Sequence, residues 1–357
     1  MMKRIIKWSL RGLLVLLGVI LAAVAALVVF LSVTEYNPAD RQRAEYVVVQ
    51  TDAPLGQKDL TFYTWNIGYA GLGKDSDFFM DGGKMVNPPS QLAVEENLTA
   101  IQNFISSNPA DGWLLQEVDR NSAHTEYVDE LEQITKVYTG SAAFSYNYKC
   151  PFVPIPLPPM GQVESGIATL TKVRMDMEAE RIALPCPFSW PLRTANLKRC
   201  LQLTRLDIEG TDKELVLVNL HLEAYDDGEG KIAQTKLLLQ VLQDEYAKGN
   251  YVIAGGDFNQ TFPGTLDVFP IQNSELWTPG IMEDTALPEG WQYAYDVDTA
   301  TCRLLDHPYD GTNQLYIIDG DLVSPNVRIN AVEAVDLQFQ NSDHNPVRLD
   351  VTLLSES

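Results

Sequence analysis

The chain predicts one α/β domain, with helices packed outside a layered sheet core and a single membrane-spanning helix in front of it. Three observations lead there. Residues 12–33, GLLVLLGVILAAVAALVVFLSV, form an apolar run in which Ser32 is the only polar member. Beyond it, β-branched and aromatic segments recur with a few helical patterns between them. After residue 59 there is neither an internal repeat nor a second regime of composition, and 45% hydrophobic residues supply a buried core.

As a helix, the run at 12–33 spans about 33 Å, close to the ~30 Å hydrocarbon core of a bilayer. Lys3, Arg4, Lys7 and Arg11 precede it and TEYNPAD follows. That asymmetry places residues 1–11 in the cytoplasm and the body outside. A cleaved signal peptide is the rival reading, but its apolar core is usually ~7–15 residues. No small-x-small cleavage site follows the run, so an uncleaved anchor is expected. Residues 34–58 are polar and turn-rich and read as a tether, with 59–357 as the domain. Cys150, Cys186, Cys200 and Cys302 all follow the anchor, in a compartment that permits disulfides. A 186–200 bridge would close a loop containing Pro and Trp; free thiols are the alternative, and no zinc spacing is present.

Along the domain, LTFYTWNIGY (60–69) has the composition of a strand, and 68–90 is a long Gly-rich loop without a P-loop ending. QLAVEENLTAIQNFISSN (91–108) spaces Leu92, Leu98, Ile101 and Ile105 along one helix face. WLLQEV (113–118) reads as a buried strand, and 144–162 as a proline-rich loop. Strands are expected at 165–172, 198–208 and 213–222, then a helix at 231–247 and the strand YVIA (251–254). Residues 315–324, 328–335 and 346–354 complete the strands. The loops 68–90, 147–164, 185–198 and 260–290 would set specificity. Phe152, Trp190 and Trp277 could contact a ligand there, although loop packing explains them as well.

Charge limits the partners. The chain has 26 basic and 48 acidic side chains, and the first 34 residues hold four of the basic ones and no acid. That leaves 22 basic against 48 acidic groups, a charge of −26, on the rest. Such a body repels a nucleic-acid backbone, whose binding relies on Lys and Arg displacing counterions. Ligands whose charge a metal can neutralise are not excluded.

Several expected strands end in chemically related residues: Asn66, Glu117, His221, Asp257 with Asn259, Asp319, and Asp343 with His344. Strand termini are where a rigid scaffold mounts catalytic groups, though each residue alone also suits a cap or turn. Carboxylate and amide oxygens without cysteine suit a hard cation, Mg²⁺ or Mn²⁺. Histidines add acid/base groups for hydrolysis near neutral pH. His124 and His307 lack such a setting and read as surface or loop residues.

The ordered set TWNIGY, LLQEVD, SGIATLTK, VNLHLE, GGDFN, IDGDLVS and NSDHNPV resembles the endonuclease/exonuclease/phosphatase superfamily, from about residue 60 to 353. The resemblance implies a four-layer α/β sandwich, two mixed sheets flanked by helices, with the site where strand ends converge. It implies Glu117 as the principal metal carboxylate, Asn66 as its companion, and Asp343 supporting the site or the metal. It further implies Asp257 positioning or deprotonating the attacking water and Asn259 holding a phosphoryl oxygen. His344 acts at the scissile phosphate, oriented by Asp319. A histidine at 221, a catalytic and substrate-binding position, resembles deoxyribonuclease-, sphingomyelinase- and inositol-polyphosphate-phosphatase-like members rather than the abasic-site endonucleases. The family segment around Asp319 often reads Arg-Ile-Asp-Tyr-Ile, whereas this chain has Ile-Ile-Asp-Gly-Asp. Its second acid, Asp321, is expected to face solvent, away from Asp319.

The expectation is a membrane-anchored, bacterial-type phosphohydrolase outside the cytoplasm. Its substrate would be a phosphodiester of a lipid or small molecule. A deoxyribonuclease-like nuclease is the alternative, disfavoured by charge; a binding module without catalysis and a structural envelope protein are further ones. No protein partner is expected.

Overall fold

The computed structural model describes residues 2–48, 54–173, 179–226, 228–282 and 287–355. Two seven-stranded sheets form the body. The first runs, edge to edge, Arg41–Arg43, Glu180–Ala183, Cys200–Asp207, Glu214–His221, Tyr251–Asp257, Asp319–Val323 and Gln292–Ala294. The second runs Val327–Ala334, Val347–Leu353, Asp59–Asn66, Gly112–Asp119, Gly161–Thr171, Ser141–Val153 and Glu45–Val48. Each contains a parallel pair: Glu214–His221 beside Tyr251–Asp257, and Asp59–Asn66 beside Gly112–Asp119. Parallel neighbours need a crossover, and a helix makes each one, Glu229–Tyr246 and Gln91–Ser107.

Strand alternation sorts the side chains into layers. In Asp59–Asn66, Leu60 and Phe62 join the core between the sheets, with Leu217, Ile253 and Leu349. Tyr63 and Trp65 face the other way, against Leu98, Ile101 and Ile105 of Gln91–Ser107. Ser90 caps that helix, its Oγ accepting the Ala93 N–H at 3.2 Å. Leu92, expected on the buried face, is exposed at the first turn, and Val94 is buried instead. On the far side Leu238, Val241 and Leu242 pack on Val216, Val218 and Val252. The result is four layers, helix–sheet–sheet–helix.

Part of the seam between the sheets is polar. Gln116 Nε2 donates to Asn219 Oδ1 at 2.8 Å, and Gln202 Nε2 to Ser145 Oγ at 3.0 Å, all buried. Both bonds cross from one sheet to the other. Buried amides need such partners, and these bonds fix the sheets against each other beside Asn66 and His221.

Several expectations change. Segment 34–58 does not hang free as a tether: Arg41–Arg43 pairs with the first sheet and Glu45–Val48 with the second. Residues 49–53 lie outside the described residues, as do 283–286 of the loop 260–290. The strand Ser141–Val153 runs well into the proline-rich stretch, paired with Gly161–Thr171. Residues 315–324 give two strands, Leu315–Tyr316 and Asp319–Val323, in different sheets. All four cysteines are free, Cys200 buried and Cys186 exposed, so the 186–200 bridge is not made.

The N-terminal helix runs unbroken from Met2 to Val33, and its span Arg4–Val33 is long and apolar enough to cross a membrane.

Candidate active site

Register delivers the first three groups. Asp257 is paired with His221 across a parallel ladder and with Asp319 across an antiparallel one. Three titratable side chains therefore stand side by side at the ~4.8 Å strand spacing. The two glycines before Asp257 make room for neighbouring strands. A Cβ on Gly255 would stand 2.1 Å from Asp321 Oδ1. On Gly256, at φ +151°, it would stand 2.0 Å from Leu220 O.

Asn259 turns away from the extended strand. Its φ is 51°, and its N–H donates to Asp257 Oδ1 at 2.8 Å, closing an Asx turn. Its Nδ2 donates to Leu222 O at 2.9 Å, while Phe258 is buried in the helix-side core.

The second sheet contributes Asn66 and Glu117. Asn66 Nδ2 donates to Asp257 Oδ2 at 3.1 Å, and its Oδ1 accepts the Gly68 N–H at 3.0 Å. Glu117 sits at φ 53° in a bulge where the register shifts between Leu115 and Val118. Such a bulge re-aims a side chain. Glu117 Oε2 is buried without a hydrogen-bond partner.

His344 and Asp343 lie on the loop before Val347–Leu353. Ser342 Oγ ties this loop down, donating to Asn66 O at 2.9 Å and accepting the His344 N–H at 3.1 Å. His344 Nδ1 donates to Asp319 Oδ2 at 2.8 Å. Its Nε2 is left 3.9 Å from both Asp257 Oδ2 and Asp343 Oδ2. His221 Nε2 lies 3.5 Å from the same Asp257 oxygen.

Burial and charge set the protonation states. Burial alone would lower His344, but Asp319, Cys302 and Asp343 together hold it well above the usual histidine range. Burial, then Arg199 and His344, keep His221 well below that range and neutral. Burial, then the charge of Asp319, pushes Asp257 up to about 7. Burial and Asp343 raise Glu117 well above an ordinary carboxylate. Asp343 is itself raised by burial, against the pull of His344 and Arg303.

Two groupings could take a cation. Asp257, Asp319 and His344 each present a ligand atom within 4.8 Å of the others. There, however, His344 Nδ1 and Asp319 Oδ2 are already bonded to each other, the geometry of a proton-handling pair. Glu117 Oε2, like Asp319 Oδ1, is buried without a partner, but no histidine among the described residues is bonded to Glu117, and Asp343 is the largest charge acting on it. Acidic and amide oxygens of this kind fit a hard divalent cation.

A model of the Endonuclease/Exonuclease/phosphatase family matches residues 63–344. The chain belongs to this family. It is therefore a hydrolase of phosphoric ester bonds, a class that generally depends on a divalent metal. Solved structures agree on the fold. An endonuclease/exonuclease/phosphatase from Beutenbergia cavernae is 17% identical, with a TM-score of 0.58, over 84% of this chain and 72% of that one. One from Bacteroides vulgatus is 15% identical, with a TM-score of 0.53, over 83% and 100%. The human Nocturnin catalytic domain is 16% identical, with a TM-score of 0.50, over 87% and 96%. No curated protein sequence matches.

In this endonuclease/exonuclease/phosphatase fold the cluster lines a cleft of about 530 Å³. Sequence reasoning missed several residues there. Arg199 is buried, its Nη1 donating to His221 O at 3.3 Å and its Nε to Glu223 Oε2 at 3.4 Å. Asp81 accepts the Tyr225 O–H at 2.9 Å, and burial pushes it up to about 6. His124, read as a surface or loop residue, lies in the connection after Gly112–Asp119 but lines the cleft, with Nε2 3.1 Å from Asp119 Oδ2. His307 is exposed beside Asp306 and Asp310, as a loop residue should be. Trp277 lines the cleft and donates from Nε1 to Ala224 O at 2.9 Å. Asp321, assigned to solvent, is buried with both oxygens unpartnered. Residues two apart on a strand share a face, so Asp321 follows Asp319 inward rather than opposing it.

Proposed function

We propose that the protein is a membrane-anchored, divalent-metal-dependent phosphodiesterase, with its domain outside the cytoplasm, acting on a lipid or small-molecule phosphodiester. The observation that carries this is the pair Asp319–His344, bonded at 2.8 Å, facing Asp257 beside the unpartnered Glu117. Glu117, with Asn66 and Asp343, would hold Mg²⁺ or Mn²⁺. When bound, such an ion offsets the negative charge of the phosphoryl oxygens.

This chain's residues then divide the proton work. Asp257, as the carboxylate, accepts a proton from the attacking water, whose oxygen bonds to phosphorus. The ester P–O bond breaks, its electron pair leaves on the alcohol oxygen, and His344 Nε2 gives that oxygen a proton. The products are a phosphomonoester and an alcohol. Asp319 fixes the His344 ring and stabilises its cationic form. Neutral His221 and the Asn259 amide would contact the phosphoryl oxygens. The charge of −26 beyond the helix argues against the nuclease reading.

Bis-p-nitrophenyl phosphate turnover with Mg²⁺ tests the assignment. Glu117→Gln should weaken Mg²⁺ binding by calorimetry by more than the ~10–100-fold that losing an outer-sphere partner costs. It should remove turnover in parallel. Unchanged Mg²⁺ affinity together with unchanged turnover would overturn the site.

A further inference from the structure

The N-terminal helix is part of the cleft. Leu27, Val28 and Leu31 line the same cavity as Glu117, Asp257 and His344. Three contacts hold the helix there. Leu31 is buried among Tyr148, Cys150, Val153 and Val163. Trp190 Nε1 donates to Ser32 Oγ at 3.0 Å. Glu35, just past the helix, pairs with Lys198 at 2.9 Å and Arg193 at 3.2 Å. Residues 4–26 are exposed along their whole length.

Resting on the function proposed above, we propose that the substrate is a lipid phosphodiester taken directly from the bilayer, with the helix as one wall of its binding site. Leu27 lies six residues before Val33, about 9 Å down the helix axis. For an apolar run that matches a ~30 Å hydrocarbon core, this puts one wall of the cleft below the membrane surface.

The domain surface agrees. Ile155, Leu157, Trp190 and Leu192 are 64%, 89%, 57% and 62% exposed. They sit on the segments 154–160 and 185–198, which flank the docked end of the helix. Large apolar side chains gathered at one rim mark an interaction surface, and Trp favours the lipid–water interface. Because the anchor emerges through this same rim, the bilayer is the occupant.

The lining also divides by chemistry. Leu27, Val28, Leu31, Val153 and Leu192 offer only apolar surface, whereas the catalytic cluster offers charge. A wholly polar phosphate uses only the second part; an amphiphile uses both. At about 530 Å³ the cleft accommodates a headgroup and its linkage while the acyl chains stay in the leaflet.

The test uses the full chain in phosphatidylcholine vesicles with Mg²⁺. Methyl and hexadecyl p-nitrophenyl phosphate carry the same scissile bond and leaving group and differ only in the chain that enters the bilayer. Hexadecyl ester turnover should exceed methyl ester turnover at least tenfold. Val28→Trp, which narrows the cleft from the helix side, should cut that ratio at least fivefold, as should Leu157→Glu/Leu192→Glu at the rim. Val15→Trp, exposed elsewhere on the helix, should leave the ratio in place. Equal turnover of the two esters, or a ratio insensitive to both changes, overturns the proposal. Failure to hydrolyse either ester or bis-p-nitrophenyl phosphate instead overturns the phosphodiesterase reading beneath it.

Discussion

In the proposed mechanism, His344 would work as an acid only while Asp319 holds it charged. The buried ring would otherwise lose its proton readily, because burial disfavours the cation. With the carboxylate 2.8 Å away, the proton stays on well above the usual histidine value. Activity should therefore fall at high pH as His344 deprotonates, and Asp319→Asn should move that alkaline limb of kcat to lower pH. It should also lower kcat by about 10²–10⁴-fold, the range of general acid–base catalysis. An unshifted limb would make Asp319 merely structural. At this scale the sequence was informative where polar residues end strongly apolar strands, as at Asn66, Glu117 and Asp257. It did not place Arg199, Asp81 or His124 at the cleft. Arg199 stands at the start of an expected strand, and Asp81 and His124 in irregular stretches, and only the folding of distant segments onto the cluster brings them in.

Among the elements, the strand Asp319–Val323 carries two acids of different fate. Asp319 has a partner; Asp321 has none, and burial alone raises it well above an ordinary carboxylate. The folded chain therefore keeps the Asp321 proton at pH values where the unfolded chain has released it. That contribution is complete below the unfolded value of 3.8 and is lost as pH rises toward the folded value. Over that window the parent should lose about 1.4 kcal/mol per pH unit relative to Asp321→Asn, which cannot ionise. Denaturant unfolding of both proteins at pH 4.5, 6 and 7.5 measures this; parallel curves would mean the acid is solvated or paired. Most elements were legible because their patterns are strong: both crossover helices and the central strands fall near their expected places. The edge strands were not. Arg41–Arg43 and Glu45–Val48 are only three and four residues long, too short for a period to show, and only pairing with a sheet makes them strands. The bulge at Glu117 and the turn at Asn259 both require positive φ; Asn tolerates that region, but a glutamate gives no sign of it.

For the whole molecule, the decisive quantity is charge. The chain beyond the helix carries −26, yet its fold is shared with proteins named for nuclease activity. A nucleic-acid enzyme that contacts Z phosphates through Lys and Arg gains affinity steeply as salt falls, with a slope of about −0.9Z for duplex DNA. Here the sign should reverse. At ~0.01 M salt the Debye length is about 30 Å, so the domain's net field reaches the DNA and repels it. Near ~0.15 M it shrinks to about 8 Å, and the repulsion is largely screened. Anisotropy of a labelled 20-mer duplex with the Mg²⁺-loaded full chain in detergent should show no gain in affinity as salt drops from ~200 to ~20 mM. A rise of tenfold or more over that range would reveal a basic track that net charge conceals and would restore the nuclease reading. A membrane substrate meets a different field. On the proposed route, repulsion from the bulk of the domain would be bypassed, because the substrate would arrive through the hydrocarbon beside Leu27 and Val28 and only its phosphate would meet the acidic cluster, whose charge a divalent cation would offset. The same acidity that turns nucleic acid away is thus compatible with a substrate delivered along the anchor.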